Sequence, residues 1–208
     1  MSDDDPDGED ILDAGPFSAW MLQIGRALHG EVVSAVPCGA CTACCTSSQF
    51  VHIGPDETES LSRIPAELLF PAPGRPRVLV LGYGERGHCP MLINDACSIY
   101  EDRPRACRTY DCRVVSAAGI GVEEDKVAIA RQIRRWRFSL PTEDDQVQHD
   151  AVRAAARYVG DHQDRVSPGQ APRSSTQLAV LAIEMHDAFL RSYGPTDGQA
   201  VVDPDPQG

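Results

Sequence analysis

The sequence predicts an α+β fold: an irregular, cysteine-rich metal-binding module with short strands, framed by an N-terminal helix and about three C-terminal helices. Three observations lead there. Apolar residues recur with the helical period near the N-terminus and again after Gly121. Between Pro37 and Arg113 that period breaks into short apolar runs separated by Gly, Pro and Asn-Asp turn signals. All eight cysteines fall inside this aperiodic stretch.

Taken in order, residues 1–15 are acidic and Gly-rich with almost nothing to bury, and are expected to form a disordered tail. Phe17, Trp20, Met21, Ile24 and Leu28 then follow helical spacing, with Pro16 suited to a first turn and Gly30 just past the end. Short strands are expected at Phe50–Ile53, Val78–Leu81, Met91–Ile93 and Ser98–Tyr100, with a brief helix from Glu57 to Arg63. Further helices are expected from Glu123 to about Phe138, from Glu143 to Val159 behind Pro141-Thr142, and from Thr176 to Leu190, where Ser174 and Gln177 form a capping-type start. Leu178, Leu181, Ala182, Met185 and Phe189 make a stripe read as core contact. Residues 192–208, punctuated by Pro195, Pro204 and Pro206, form a second expected tail. Residues 16–191 are thus expected to be a single domain holding a cysteine module at 37–113 and a helical part at 123–191.

Charge narrows the function. There are 31 acidic and 19 basic side chains, a formal net charge of −12, so nucleic acid is not expected as a partner. Of the basic residues only Lys126 is a lysine, and it has no Gly-rich context, which removes phosphate-loop and Schiff-base chemistry. The acidic N-terminus is unlike a secretory signal and no segment has membrane-spanning length, so a cytoplasmic chain is expected, with no membrane partner. Gly82-Tyr83-Gly84-Glu85-Arg86-Gly87 satisfies a dinucleotide-binding pattern, but no helix pattern follows it and a loop between strands is expected. The basic run Arg131 to Arg137 is read as a solvated helix face.

In a reducing compartment the cysteines are to be read as metal or redox ligands: Cys38, Cys41, Cys44 and Cys45, then Cys89, Cys97, Cys107 and Cys112. Two-residue gaps let thiolates turn toward one ion, and the small Gly39, Ala40, Thr42 and Ala43 let backbone N–H groups approach the sulfurs. Neighbouring side chains point apart, so Cys44 and Cys45 are not expected to share a tetrahedral ion; two sites or a polynuclear one are possible. Arg103, Arg105, Arg108 and Arg113 stand among the later cysteines as candidates for charge compensation or anion binding, with Tyr100 beside them. His88, next to Cys89, is a candidate to hydrogen-bond a metal ligand or to bind an anion.

The opening Cys38-Gly39-Ala40-Cys41-Thr42-Ala43-Cys44-Cys45, the middle His88-Cys89-Pro90-Met91-Leu92, and the close from Cys97-Ser98-Ile99-Tyr100 through Arg103-Pro104 to Cys107-Arg108-Thr109-Tyr110-Asp111-Cys112 stand in a diagnostic order. They resemble the YkgJ-type CxxCxxCC cysteine-cluster family over about Pro37 to Arg113. The resemblance implies a zinc- or iron-chelating domain in which all eight cysteines are ligand candidates, while Tyr100, Arg103, Pro104 and Arg108 match the closing motif. The cofactor it implies is zinc or an iron–sulfur centre, a choice that soft thiolate donors leave open. Related chains are sometimes labelled flagellin N-methylase, so an iron–sulfur or metal-dependent transferase resembling a protein lysine methylase is an alternative, although no S-adenosylmethionine motif is visible. A metal carrier or redox sensor is the other alternative.

Overall fold

The computed structural model describes residues 10–32, 36, 38–163 and 171–190. Helices and short strands are mixed, as an α+β chain requires. In chain order these are β1 (Leu12–Pro16), α1 (Phe17–Leu28), β2 (Val51–Ile53), α2 (Thr58–Arg63), β3 (Leu69–Pro71), β4 (Leu79–Leu81), β5 (Leu92–Ile93) and β6 (Ala96–Cys97). Then come α3 (Arg105–Thr109), α4 (Arg113–Ala118), α5 (Val127–Arg135), β7 (Trp136–Ser139), α6 (Glu143–Asp161), α7 (Ser175–Met185) and α8 (Asp187–Leu190). No helix among the described residues is long and apolar enough to cross a membrane. The chain divides into two compact units, Met1–Leu28 with Cys112–Glu123 and Ile133–Gly208, and His29–Asp111 with Glu124–Gln132.

The first unit is mainly helical. α1 buries Phe17, Trp20, Met21 and Ile24, the face its spacing announces. Phe17 and Trp20 meet Phe138 at ring-centroid distances of 5.0 and 4.7 Å, and Phe17 stands edge-on to His149 at 5.0 Å. α6 opens with a full capping box, Thr142 and Asp145 exchanging side-chain and backbone bonds. Asp145 also accepts the Ser18 N–H at 2.8 Å and the Ser18 hydroxyl at 2.7 Å, tying α6 to the first turn of α1. α6 and α7 bury Ala151, Ala155, Ala156, Ala179 and Ala182, small residues that let helices approach closely. Ser174 caps α7 through Gln177, as its spacing implies.

Three readings of the sequence change here. Residues 12–15, taken as tail, and Pro16, taken as the first helical turn, form β1, which pairs in parallel with β7, Leu12 facing Trp136 and Pro16 facing Ser139. The pairing slips between Asp13 and Gly15; Gly15 takes φ +83° and its N–H bonds the Asp13 carboxylate, a conformation for which glycine is suited. The helix expected to run to about Phe138 stops at Arg135, because Trp136 and Phe138 continue as β7 with the alternation and aromatic character of a strand. The arginine run is therefore part helix and part strand. The helix expected from Thr176 to Leu190 is interrupted at His186, whose N–H and ring nitrogen both turn back to the Ile183 carbonyl.

The second unit is built on a three-stranded antiparallel sheet, order β2-β4-β3, and a β5-β6 hairpin. Ile53 pairs with Leu79 and Val51 with Leu81, while Leu69 also pairs with Leu81. The hairpin turns at Asn94 and Asp95, both with positive φ, 50° and 57°, as a tight two-residue turn demands. The strand expected at Ser98–Tyr100 ends instead at Cys97, and the Ser98 N–H and hydroxyl both fold back onto the Met91 carbonyl. Ile53, Ile64, Leu81, Met91 and Ile99 form the core, with Cys89 and Cys97 packed against it. β3, α3 and α4 are elements that periodicity does not reveal, since three to six residues are too few to carry a period. The residues 82–87 make turns, Gly84 N–H to His88 O at 2.9 Å and Gly87 N–H to Gly84 O at 2.8 Å, and β5 follows rather than a helix. The dinucleotide pattern is thus a loop. The proposed tails fall largely on residues 1–9 and 191–208, outside the described residues.

Candidate metal centre

The cysteine loop begins with a turn in which the Cys41 N–H bonds the Cys38 carbonyl at 2.8 Å, and continues into a single turn of 3-10 helix at Cys44–Thr46. Ser and Thr side chains fold it tightly: the Thr46 hydroxyl donates to the Thr42 carbonyl at 3.1 Å and the Ser47 hydroxyl to the Ala43 carbonyl at 2.6 Å. Two backbone bonds then join the loop to the later cysteines. The Cys89 N–H donates to the Cys45 carbonyl at 2.7 Å, and the Ser48 N–H to the Gly87 carbonyl at 2.9 Å. Gly87 takes φ +74°, and a Cβ there would collide with the Ser48 hydroxyl, so the approach of the two loops requires glycine.

Cys89 and Cys97 are held from below by the core. Cys97 pairs with Leu92 across the hairpin. At Cys89 a Cys-Pro-Met-Leu turn presents the N–H groups of Met91 and Leu92 to the sulfur, bonds that favour its thiolate, while burial, the largest influence, raises its pKa. Cys107 lies in α3, whose first residue is anchored by the Arg105 N–H bonding the buried Glu57 carboxylate. The other Glu57 oxygen accepts the Gly54 N–H at 2.8 Å. The segment leading into α3 is also fastened to α2, through the Ser60 hydroxyl and Arg63 guanidinium on Asp102 at 2.7 and 2.9 Å.

The electrostatics show which thiols are neighbours. The Cys45 thiol is pushed up to about 11, by burial first and then by Cys89, Cys97, Cys41 and Cys38. The Cys107 thiol is pushed up to about 12, again by burial first and then by Cys45, Cys89 and Cys97, while the Arg103 guanidinium draws it down. Cys107 is an exposed residue, so solvent moderates that push. Together with the effect of Cys97 on Cys89, every pair among Cys45, Cys89, Cys97 and Cys107 is electrostatically coupled. Cys38 and Cys41 join through Cys45. Among the described residues, no three His, Cys, Asp or Glu side chains stand in a ready-made coordination shell. A cation bound there would displace the thiol protons and offset the repulsion among the thiolates. The donor set is chemically suited to zinc or an iron–sulfur core, being sulfur-rich, close-set and provided with N–H groups at one sulfur.

The remaining sequence candidates are placed as follows. Cys44 is exposed on the 3-10 turn. Cys112 belongs to the other unit, where it is buried and its sulfur accepts the Trp136 indole N–H at 3.2 Å. Arg103 lies over the Tyr100 ring at 3.9 Å and donates to the Tyr100 carbonyl at 2.7 Å, which fixes its charge beside Cys107. Arg105 is engaged by Asp56 and Arg108 is exposed. Arg113 is buried in the first unit, 5.8 Å from the Trp136 ring centroid. His88 is half-buried and its carbonyl receives Gly84. Sequence reading overlooked Glu57, Ser47 and Ser48. Glu57 and Ser48 act through backbone bonds made at long sequence separation, for which a single chain carries no signal, and Ser47 braces the cysteine loop locally through the Ala43 carbonyl.

Residues 37–127 match a family model, CxxCxxCC, described as "Putative zinc- or iron-chelating domain"; the matched segment is less than half of the 208 residues. No curated protein and no solved structure matches the chain.

Proposed function

Starting from the CxxCxxCC domain that the chain carries at residues 37–127, we propose that it holds zinc or an iron–sulfur centre through Cys45, Cys89, Cys97 and Cys107. Cys38 and Cys41 complete or extend this site through Cys45. The observation that carries the reading is the joining of distant cysteines: the Cys89 N–H bonds the Cys45 carbonyl at 2.7 Å, Cys89 and Cys97 pack against one core, and Cys107 lies within their electrostatic reach. Four thiolates around a divalent ion leave a charge near −2 in the site, to be offset locally. Arg103, held over Tyr100 beside Cys107, supplies part of that offset. The Met91 and Leu92 N–H groups hold the Cys89 sulfur in its orientation. Cys44 and Cys112 are not assigned to this tetrad: adjacent side chains point apart, which sets Cys44 off from Cys45, and Cys112 is engaged by Trp136.

In this role the metal adds to a small apolar core, Ile53, Ile64, Leu81, Met91 and Ile99 with Val51, Leu61, Leu68 and Leu69 against them. A structural zinc contributes roughly 10 kcal/mol or more of binding free energy, comparable with the whole stability of a small domain. A reducing cytoplasm is the compartment this reading requires, because the thiols must remain available for a metal. The test is metal analysis and an anaerobic visible spectrum of the chain purified without added metal. Broad visible bands that bleach on reduction assign an iron–sulfur centre; stoichiometric zinc in a colourless protein assigns zinc. Cys45→Ser should abolish most of the bound metal while Cys44→Ser retains it. A wild-type chain with neither metal, or a Cys45→Ser variant with undiminished content, refutes the proposal.

A further inference from the structure

Lys126 is the sole lysine of the chain. Its side chain, 19% exposed, reaches the cysteine loop and donates from Nζ to the Ser47 carbonyl at 2.9 Å. Four neighbouring carbonyls of that loop are met by neutral donors. Those of Thr42 and Ala43 accept the Thr46 and Ser47 hydroxyls, that of Cys44 the Ser47 N–H, and that of Cys45 the Cys89 N–H. Ser47 alone in this series receives an ammonium, at the carbonyl end of the turn and two residues from Cys45. The backbone of Lys126 is held as well, its carbonyl accepting the Ala130 N–H at 2.8 Å as α5 begins.

Asp125 stands 3.1 Å from the ammonium, but its side chain is 70% exposed. A carboxylate so well hydrated offsets the charge weakly. The inner side of Lys126 therefore still presents a positive charge to a loop whose thiolates, once metal is bound, carry a net negative charge. Lysine is costly to immobilise, since it gives up side-chain entropy, and a single neutral donor would satisfy one carbonyl equally well.

We infer that Lys126 is a positioning residue of the metal centre: it clamps the Cys44-Cys45-Thr46-Ser47 turn through the Ser47 carbonyl and offsets the charge of the assembled thiolates. This rests on the metal-binding reading above. It adds to the site a residue fourteen positions beyond the last cysteine, on another element, with no place in the cysteine motifs.

The experiment uses the full chain, as wild type and as Lys126→Arg, Lys126→Gln and Lys126→Met, each stripped of metal and kept reduced. Each is titrated with zinc(II) against a chromophoric chelator, and circular dichroism verifies that the helices are retained. Loss of an outer support of this kind weakens metal affinity by about 10- to 100-fold. The Gln and Met variants should show that loss, and Arg, which keeps charge and donor, should restore affinity to within about 3-fold of wild type. Wild-type affinity in Lys126→Met overturns the inference. Wild-type affinity in Lys126→Gln overturns the charge role, because glutamine keeps a donor without the charge, and an Arg variant as weak as Met does the same. A wild-type chain that takes up no zinc overturns instead the metal-binding reading beneath it, so the two failures are distinct.

Discussion

His149 has a polar atom in an apolar place. Its Nδ1 is buried without a hydrogen-bond partner among the described residues, 3.8 Å from Asp150, and its ring stands edge-on to Phe17. Burial, followed by Arg153, holds its pKa below the usual 6.5, with Asp150 opposing. Because the folded pKa is the lower one, the unfolded chain takes up the proton first as pH falls below 6.5. The associated stability is complete above that pH and declines beneath it until the folded imidazole also protonates. A thermal melt series from pH 7.5 to 5 should therefore show a falling Tm whose slope flattens in His149→Gln; equal slopes in the two proteins exclude this role. No sequence pattern singles out this histidine from the other five, since only its packing against Phe17 distinguishes it.

Two helices meet at Asp145. Four donors converge on its carboxylate, the N–H and hydroxyl of Thr142 and those of Ser18, so one side chain caps α6 and pins it to α1. The Thr142 hydroxyl first, then the Ser18 backbone and hydroxyl, hold its pKa down to about 2. That depression stabilises the fold at every pH above the ordinary carboxyl value of 3.8 and is lost as pH falls through about 2. Asp145→Asn brings an NH2 group against existing donors, and a fall in Tm of roughly 5 °C is expected at pH 7. The variant should also lack the part of the acid destabilisation that wild type shows between pH 4 and 2. An unchanged Tm with an unchanged acid limb in a pH-melt comparison would contradict this account. The capped start of α6 is legible from Pro141-Thr142 as an N-terminal signal, but the reach of Asp145 to Ser18, 127 residues away, is not.

The two compact units differ in what they have to hold them. The first buries Phe17, Trp20, Ile24, Val115, Trp136, Val152 and Ile183 among others, whereas the second relies on Ile53, Ile64, Leu81, Met91 and Ile99 with Val51, Leu61, Leu68, Leu69 and two cysteines packed against them. If the metal closes the second unit, its removal should act there and spare the first. Hydrogen exchange before and after treatment with a strong chelator under reducing conditions should show protection lost at Ile53, Leu81 and Cys97 and kept at Val115 and Val152. Equal loss in both units, or loss in neither, would count against a structural metal.

Periodicity and residue chemistry were sufficient for α1, for the capped starts of α6 and α7, for the tight turn at Asn94-Asp95 and for the concentration of thiols between Cys38 and Cys112. These are local properties, set by spacing, caps and turn preferences within a few residues. Tertiary structure decided what depends on distant segments. It made residues 12–16 a strand, because β7 offers them a partner, and ended a helix at Arg135 for the same reason. It also brought Cys45, Cys89, Cys97 and Cys107 within electrostatic reach of one another and set the Cys112 sulfur under the Trp136 indole. Which sulfurs become neighbours follows from the loops joined at Cys45 and Cys89, and such closure is a property of the folded chain in space, not of residue spacing along it.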